Sequence, residues 1–195
     1  MADDDRSWVL PEEPLPVRLM NTLRAERGTL HDDLGTPADL AAWLASAGFG
    51  TVRAGAGDLR DARELRDALR TLAAFVTGDT RPAARPPMDD LGRAVDVVNA
   101  HRVSTPADRL VLGDGGLRRE EPRPAHGVAD GLAQVSADAT DLLAGPAASA
   151  LRACGGPRCV LYFVRDHPRR EWCSAGCGNR ARAARHYRRH RDADA

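Results

Sequence analysis

The sequence predicts an α+β fold: a mostly helical N-terminal domain with a small β-hairpin, followed by a small four-cysteine module of a β-hairpin and a basic helix. Three observations predict it. Apolar residues recur at helical spacing along much of the chain before Gly145. A glycine-rich turn, Gly113-Asp114-Gly115-Gly116, separates two short strand-like runs. All four cysteines fall in the last quarter, as Cys154-x4-Cys159-x13-Cys173-x3-Cys177.

Taken in order, Leu15 to Leu23 is apolar-biased and fits a first strand or a helix start equally well. Thr36-Pro37-Ala38-Asp39 starts a helix, with Thr36 as cap, proline at the first helical position and Asp39 near the positive end of the dipole. Leu40, Trp43, Leu44 and Ala47 then share one face, and Gly48 can end it. A second helix is predicted over 58–77: Leu65, Leu69, Leu72 and Val76 face inward, Arg60, Asp61, Arg63, Glu64 and Asp67 face outward, and Gly78 closes it. Residues 81–87, with three prolines, form a loop. A third helix follows with Leu91, Val95 and Val98. The hairpin pairs 109–112 with 117–120. A fourth helix over 128–143 carries Val128, Leu132, Val135, Ala139 and Leu142 on one stripe and stops at Gly145-Pro146. The domain boundary is placed between 148 and 149.

Charge is distributed unevenly along the chain. The net charge is zero and all 28 basic residues are arginine, the codon bias of a GC-rich genome. Residues 151–195 hold 11 arginines against four acids, a balance of +7, which leaves 17 against 24, or −7, for residues 1–150. An acidic body is thus joined to a basic tail, as suits a tail that meets phosphate. The acidic start Met1-Ala2-Asp3-Asp4-Asp5-Arg6 has no apolar run behind it, so no secretory signal is expected, and no stretch reaches the roughly 18 apolar residues of a membrane span. The expected location is the cytoplasm, with no membrane partner. In that reducing setting clustered cysteines hold metal more often than they form disulfides.

The cysteine spacing fits one tetrahedral ion. Cys173 and Cys177, four apart, stack on one face of a helix, while Gly155-Gly156-Pro157-Arg158 permits the tight turn that aims Cys154 and Cys159 inward. Val160 to Val164 is β-branched and aromatic, enough for a strand. Four sulfurs close the coordination sphere, so one structural Zn²⁺ is expected, with no water left to react. An iron–sulfur cluster commonly takes denser spacings. His186 and His190 are not expected to replace cysteines, because nine residues of helix carry His186 about 13 Å beyond Cys177. Without metal the tail is expected to unfold while the body persists.

After Cys177 the chain continues as a basic helix. Asn179, Arg180, Arg182, Arg185, Arg188, Arg189 and Arg191 are the candidate nucleic-acid contacts, since a helix enters the major groove and arginine pairs with guanine or phosphate. Asn179 can read adenine or bond the helix backbone. Arg158, Arg170 and Arg180 are close enough to offset the negative charge of a four-thiolate zinc site. Arg185 to Arg191 lie beyond the metal, and for them nucleic-acid contact is favoured over a solvated charged terminus.

Cys154-x4-Cys159, Arg170-Glu171-Trp172-Cys173-Ser174 and Cys177-Gly178-Asn179-Arg180 resemble the CGNR zinc-finger proteins. Upstream, Asn21-Thr22 and Asp33-Leu34-x-Thr36-Pro37-x-Asp39-Leu40-x-x-Trp43-Leu44 resemble the ABATE domain that usually precedes that finger. The resemblance implies a bacterial transcription regulator with an N-terminal ligand-sensing domain (1–148) and a DNA-binding zinc finger (149–195). Two positions depart from the pattern: Asp166-His167-Pro168 replaces Asp-x-Ser, and Arg182 replaces a lysine.

The leading expectation is therefore a zinc-dependent regulator whose partner is double-stranded DNA and whose body senses a small-molecule effector. A zinc knuckle that binds protein or RNA is the alternative, with only Tyr162, Phe163, Trp172 and Tyr187 available to stack on bases. An enzyme is not expected: Gly55-x-Gly57 lacks the rest of a dinucleotide fingerprint, and His31 with Asp32 and Asp33 is a loop cluster. Asn21, Trp43 and His101 are the candidates to line an effector pocket, and a homodimer is expected because one small finger binds DNA weakly.

Overall fold

The computed structural model describes residues 8–26, 28–84, 88–102, 109–113, 116–120 and 127–193, with backbone alone over the strands within 109–120 and over 190–193. The predicted helices are present, and a mostly helical body leads into a cysteine-bearing hairpin and a terminal helix.

The first ambiguous segment is a helix, α1 (Leu15–Met20), and its prolines explain why. Pro14 is the N-cap and Pro16 lies in the first turn, where a missing N–H leaves nothing unbonded. The helix buries Val17, Leu19 and Met20. Next comes a hairpin that the sequence pattern does not announce: β1 (Leu23–Glu26) pairs antiparallel with β2 (Thr29–Asp32), Leu23 opposite Asp32. All four β2 residues are exposed, so no apolar alternation marks the strand.

Helix α2 (Pro37–Ser46) begins with a reciprocal cap. The Thr36 N–H donates to Asp39 Oδ2 at 2.7 Å, and the Asp39 N–H donates to Thr36 Oγ1 at 3.3 Å. Helix α3 (Ala56–Thr77) starts two residues earlier than expected because the Asp58 carboxylate accepts the Gly55 N–H at 2.7 Å. It ends at Gly78, whose φ of 62° is left-handed. Leu65 and Leu69 are fully buried, whereas Val76, placed inward from the sequence, is 39% exposed because the helix outruns the core.

Helix α4 (Leu91–Arg102) is rotated from its expected orientation. Ala94 and Val98 are buried, while Leu91 and Val95 are 39% and 44% exposed, so the helix rests on α3 through its smaller face. Strands β3 (Arg109–Gly113) and β4 (Gly116–Glu120) pair antiparallel, Gly113 opposite Gly116. In α5 (Val128–Ala144) the predicted stripe of Val128, Leu132, Val135, Ala139 and Leu142 is buried throughout. Gly131 lets α5 approach α2, since a Cβ there would lie 2.5 Å from Leu44.

A 3₁₀ turn (Pro146–Ala150) leads into β5 (Leu151–Ala153), which pairs antiparallel with β6 (Tyr162–Val164), and α6 (Ala175–Ala193) ends the described chain. This last hairpin is a wall shared by two cores. Leu151 and Tyr162 pack in the body core with Leu19, Leu69 and Val135, while Phe163 and Leu161 pack with the four cysteines. Adjacent strand residues point to opposite faces, which is how Tyr162 and Phe163 serve different cores. The tail is therefore not the separate unit that its composition suggests. No helix among the described residues is long and apolar enough to cross a membrane.

Candidate metal centre and basic helix

The four cysteine side chains are all buried, and their sulfurs lie within 4.8 Å of one another. Cys159 Sγ is 3.8 Å from Cys173 Sγ, which in turn is 3.4 Å from Cys177 Sγ. A tetrahedral ion with bonds of about 2.3 Å needs sulfurs about 3.8 Å apart, so the set fits Zn²⁺. Local geometry builds this arrangement. The Cys159 N–H donates to Gly156 O at 3.0 Å, closing the turn, and Arg158 takes the left-handed φ of 59° that the turn demands. A Cβ at Gly156 would lie 3.0 Å from Cys177 Cβ, so the loop comes as close to the second cysteine pair as a backbone can. Ser174 caps α6: its Oγ accepts the Cys177 N–H at 3.3 Å, fixing the helix on the cysteine it carries.

Electrostatics explains why a cation belongs there. Cys154 is pushed well below the usual thiol range, first by hydrogen bonds from Cys159 and then from Cys173 and Cys177. Cys173 is pushed far above it by hydrogen bonding first to Cys154 and then to Cys159 and Cys177, and Cys159 also rises. Cys177 is lowered as well, so two thiolates are favoured and ionisation of the other two sulfurs beside them is opposed. A divalent cation reverses that preference and lets all four ionise. Two backbone and side-chain donors already point at the sulfurs: Cys173 N–H to Cys154 Sγ at 3.4 Å and Arg180 Nη2 to Cys177 Sγ at 2.9 Å.

A belt of polar side chains from the body grips the hairpin that carries this centre. Asn21 bonds the β6 backbone on both sides, accepting the Tyr162 N–H at 3.0 Å and donating to Tyr162 O at 2.9 Å. Arg81 Nη1 donates to Cys154 O at 2.7 Å, Cys159 O at 3.0 Å and Leu161 O at 3.3 Å. Asp79 holds that guanidinium through two 2.7 Å bonds and accepts the Tyr162 hydroxyl at 2.8 Å. Arg70, 2% exposed, donates to Met20 O and Val160 O. Its guanidinium and that of Arg81 lie 5.4 and 5.3 Å from the Tyr162 ring centre. Glu13 accepts the Val164 N–H at 2.9 Å and pairs with Arg170, which stacks on Phe163 at 4.9 Å.

Beyond the cysteines, α6 carries exposed Asn179, Arg180, Arg182, Arg185, Arg188 and Arg189. The side chain of Arg191 lies outside the described residues, as does that of His190. Arg180 is engaged with the Cys177 sulfur, Arg182 donates to Asn179 Oδ1 at 2.5 Å, and Arg185 lies over Trp172 at 5.9 Å. Of the three arginines expected to offset the metal site's charge, Arg180 reaches a sulfur and Arg170 donates to Cys173 O at 3.3 Å. Arg158 points elsewhere, with its Cδ 3.7 Å from the position a Gly28 Cβ would take.

A family model described as "Putative stress-induced transcription regulator", ABATE, matches residues 13–146, and a model of the CGNR zinc finger matches residues 150–190. The chain belongs to the ABATE family. Its second segment is a CGNR zinc finger, and the sulfur cluster is that finger's single zinc site. Zinc bound there is held by four sulfurs and supplies folding energy. Neither matched family is an enzyme family. No curated protein matches the chain significantly.

Within the ABATE segment, the three residues expected around an effector pocket occupy three different settings. Asn21, 1% exposed, is the clamp on β6 and faces the finger. Trp43, also 1% exposed, is part of the body core. His101 is half-buried beside Asp61 and Glu64; burial lowers its pKa, and those two carboxylates partly oppose the shift. Sequence reasoning missed Glu13, Asp79 and Arg81. Arg81 sits in a proline-rich loop, and the carbonyls it binds are 73 to 80 residues away, a distance that no local pattern spans.

Proposed function

We propose that this ABATE protein is a zinc-dependent, double-stranded-DNA-binding transcription regulator in the cytoplasm. The observation that carries the reading is that Cys177 is both a zinc ligand and a residue of α6. The metal thereby orients a helix with arginines at 180, 182, 185, 188 and 189 and no acid before Asp192. A rigid helix of one charge sign suits the major groove and its flanking phosphates. About three neutralised phosphates, at Arg185, Arg188 and Arg189, would give a slope of roughly −3 in log affinity against log salt. Gel shifts against the gene's own upstream duplex, with and without chelator, test it; absence of salt-sensitive binding by zinc-loaded protein to any duplex refutes it.

One observation favours a single-stranded partner instead. Tyr187 on α6 is 75% exposed and available for base stacking. Competition between single- and double-stranded probes decides between the two.

For the effector, support comes from a cavity of about 650 Å³ between α3 and α4, lined by Leu59, Arg63, Glu64, Asp67, Met88 and Arg93. Its mixed charge suits a polar, zwitterionic small molecule, and a ligand-induced thermal-shift screen tests it. A homodimer would double the contact area of a finger this small.

A further inference from the structure

The geometry points to a guanine-reading pair, Asn179 with Arg182, in the first turns of α6; this rests on the DNA-binding reading above. An unoccupied asparagine amide offers one acceptor and one donor side by side, the pattern that matches the major-groove edge of adenine. In Asn179 half of that acceptor capacity is already taken, and the amide is held toward its neighbour. Its Oδ1 accepts from Arg182 Nη2 at 2.5 Å. A guanidinium has donors only, so the bonded atom must be the amide oxygen and no flip of the amide changes this. The Nδ2 hydrogens have no partner among the described residues.

Packing fixes the guanidinium as well. Gly178 has no side chain, and the space its Cβ would fill is bordered by Trp172 Cδ1 at 2.9 Å and Arg182 Nη1 at 3.4 Å. Arg182 thus holds Asn179 with one terminal nitrogen and lies over Gly178, beside Trp172, with the other, while Arg185 lies over the same indole. Two adjacent planar groups, both exposed, present several N–H donors against the one lone pair of Oδ1 that Arg182 leaves. The base edge that offers two acceptors and no donor in the major groove is guanine, through N7 and O6. A phosphate also accepts, but Arg185, Arg188 and Arg189 farther along α6 are placed for that, each without a neighbouring amide to orient.

In vitro selection of random duplexes by full-length, zinc-loaded protein tests the inference. The expected site contains one guanine whose replacement by adenine, or by 7-deazaguanine, which lacks the N7 acceptor, weakens binding about tenfold. Asn179→Ala and Arg182→Ala should both lose that discrimination, and Arg182→Ala, with Oδ1 released, should shift it toward adenine. Arg189→Ala should weaken all duplexes alike and keep the preference. Zinc content near one per chain certifies each variant as folded. Adenine at the position in the wild-type selection, or no effect of 7-deazaguanine, overturns the inference. So does a loss of affinity in Asn179→Ala and Arg182→Ala that is uniform across sequences, the mark of phosphate contacts. In those cases duplex binding itself still stands; no duplex binding at all would remove both readings.

Discussion

Tyr162 is the residue on which the two halves of the molecule meet. Burial, and then the hydrogen bond to the Asp79 carboxylate, push its phenol up to about 12. A raised phenol contributes stability in full below its ordinary value near 10, and loses it as pH climbs toward 12. The chain has two tyrosines, so in a Tyr187→Phe variant absorbance at about 295 nm should report Tyr162 alone. Its midpoint is expected near 12, with unfolding in the same interval; a midpoint near 10 would mean that the phenol is neither buried nor bonded to Asp79. Asp79 has the opposite sign. Burial raises it, but bonds from Arg81 and Tyr162 win and hold it below the usual carboxylate range. Its contribution is present above about pH 4 and disappears in stronger acid. Asn21→Ala leaves the Tyr162 N–H and carbonyl unpaired in a buried site and should destabilise by about 2–4 kcal/mol, read by urea denaturation. The metal ligands were legible at this scale because four thiols at tight spacing have few other uses. Asn21 was not, since a lone asparagine has the same appearance in sequence whether it lines a pocket or clamps a strand.

Among the elements, those whose faces are either clearly apolar or clearly capped could be read from sequence. Thr36 and Asp39 announce α2, and the stripe from Val128 to Leu142 announces α5. Two elements were read less well for physical reasons. Strand β2 has no buried face to produce alternation, and α4 packs through Ala94 rather than through its larger residues. Exposed Leu91 and Val95 look like core positions when only their side-chain chemistry is known. The α2–α5 contact makes a prediction of its own. With Leu44 only 2.5 Å from where a Cβ would stand, Gly131→Ala should force the helices apart and destabilise by about 1–3 kcal/mol, despite alanine's better helix propensity. A stabilised variant in thermal denaturation would show that α5 has room to shift.

For the whole molecule, the shared β5–β6 wall changes what zinc does. A metal site in a detached tail would stabilise only that tail, and two unfolding steps would follow. Here Leu151 and Tyr162 are core residues of the body, and Arg81 ties three carbonyls around the sulfur cluster to the loop after α3. Calorimetry should therefore show one transition for the zinc-loaded protein, shifted down by chelator in body and tail signals together. Two separated transitions would disprove the coupling. Arg81→Ala, far from any sulfur ligand in sequence, should speed zinc release to a chromogenic chelator, because it frees the backbone of Cys154 and Cys159. The division into an acidic and a basic half is visible in composition, yet their physical union is not. It depends on buried contacts between residues more than 70 apart, such as Asn21 with Tyr162 and Arg70 with Val160.

The same wall limits how evolution or an engineer could move this finger to another scaffold. Excised at the family boundary near residue 150, the segment would carry Leu151 and Tyr162 into water and leave the carbonyls of Val160 and Leu161 without their arginines. A successful graft would have to bring along a host surface that recreates Glu13, Asn21, Asp79 and Arg81, which makes this finger a poor cassette.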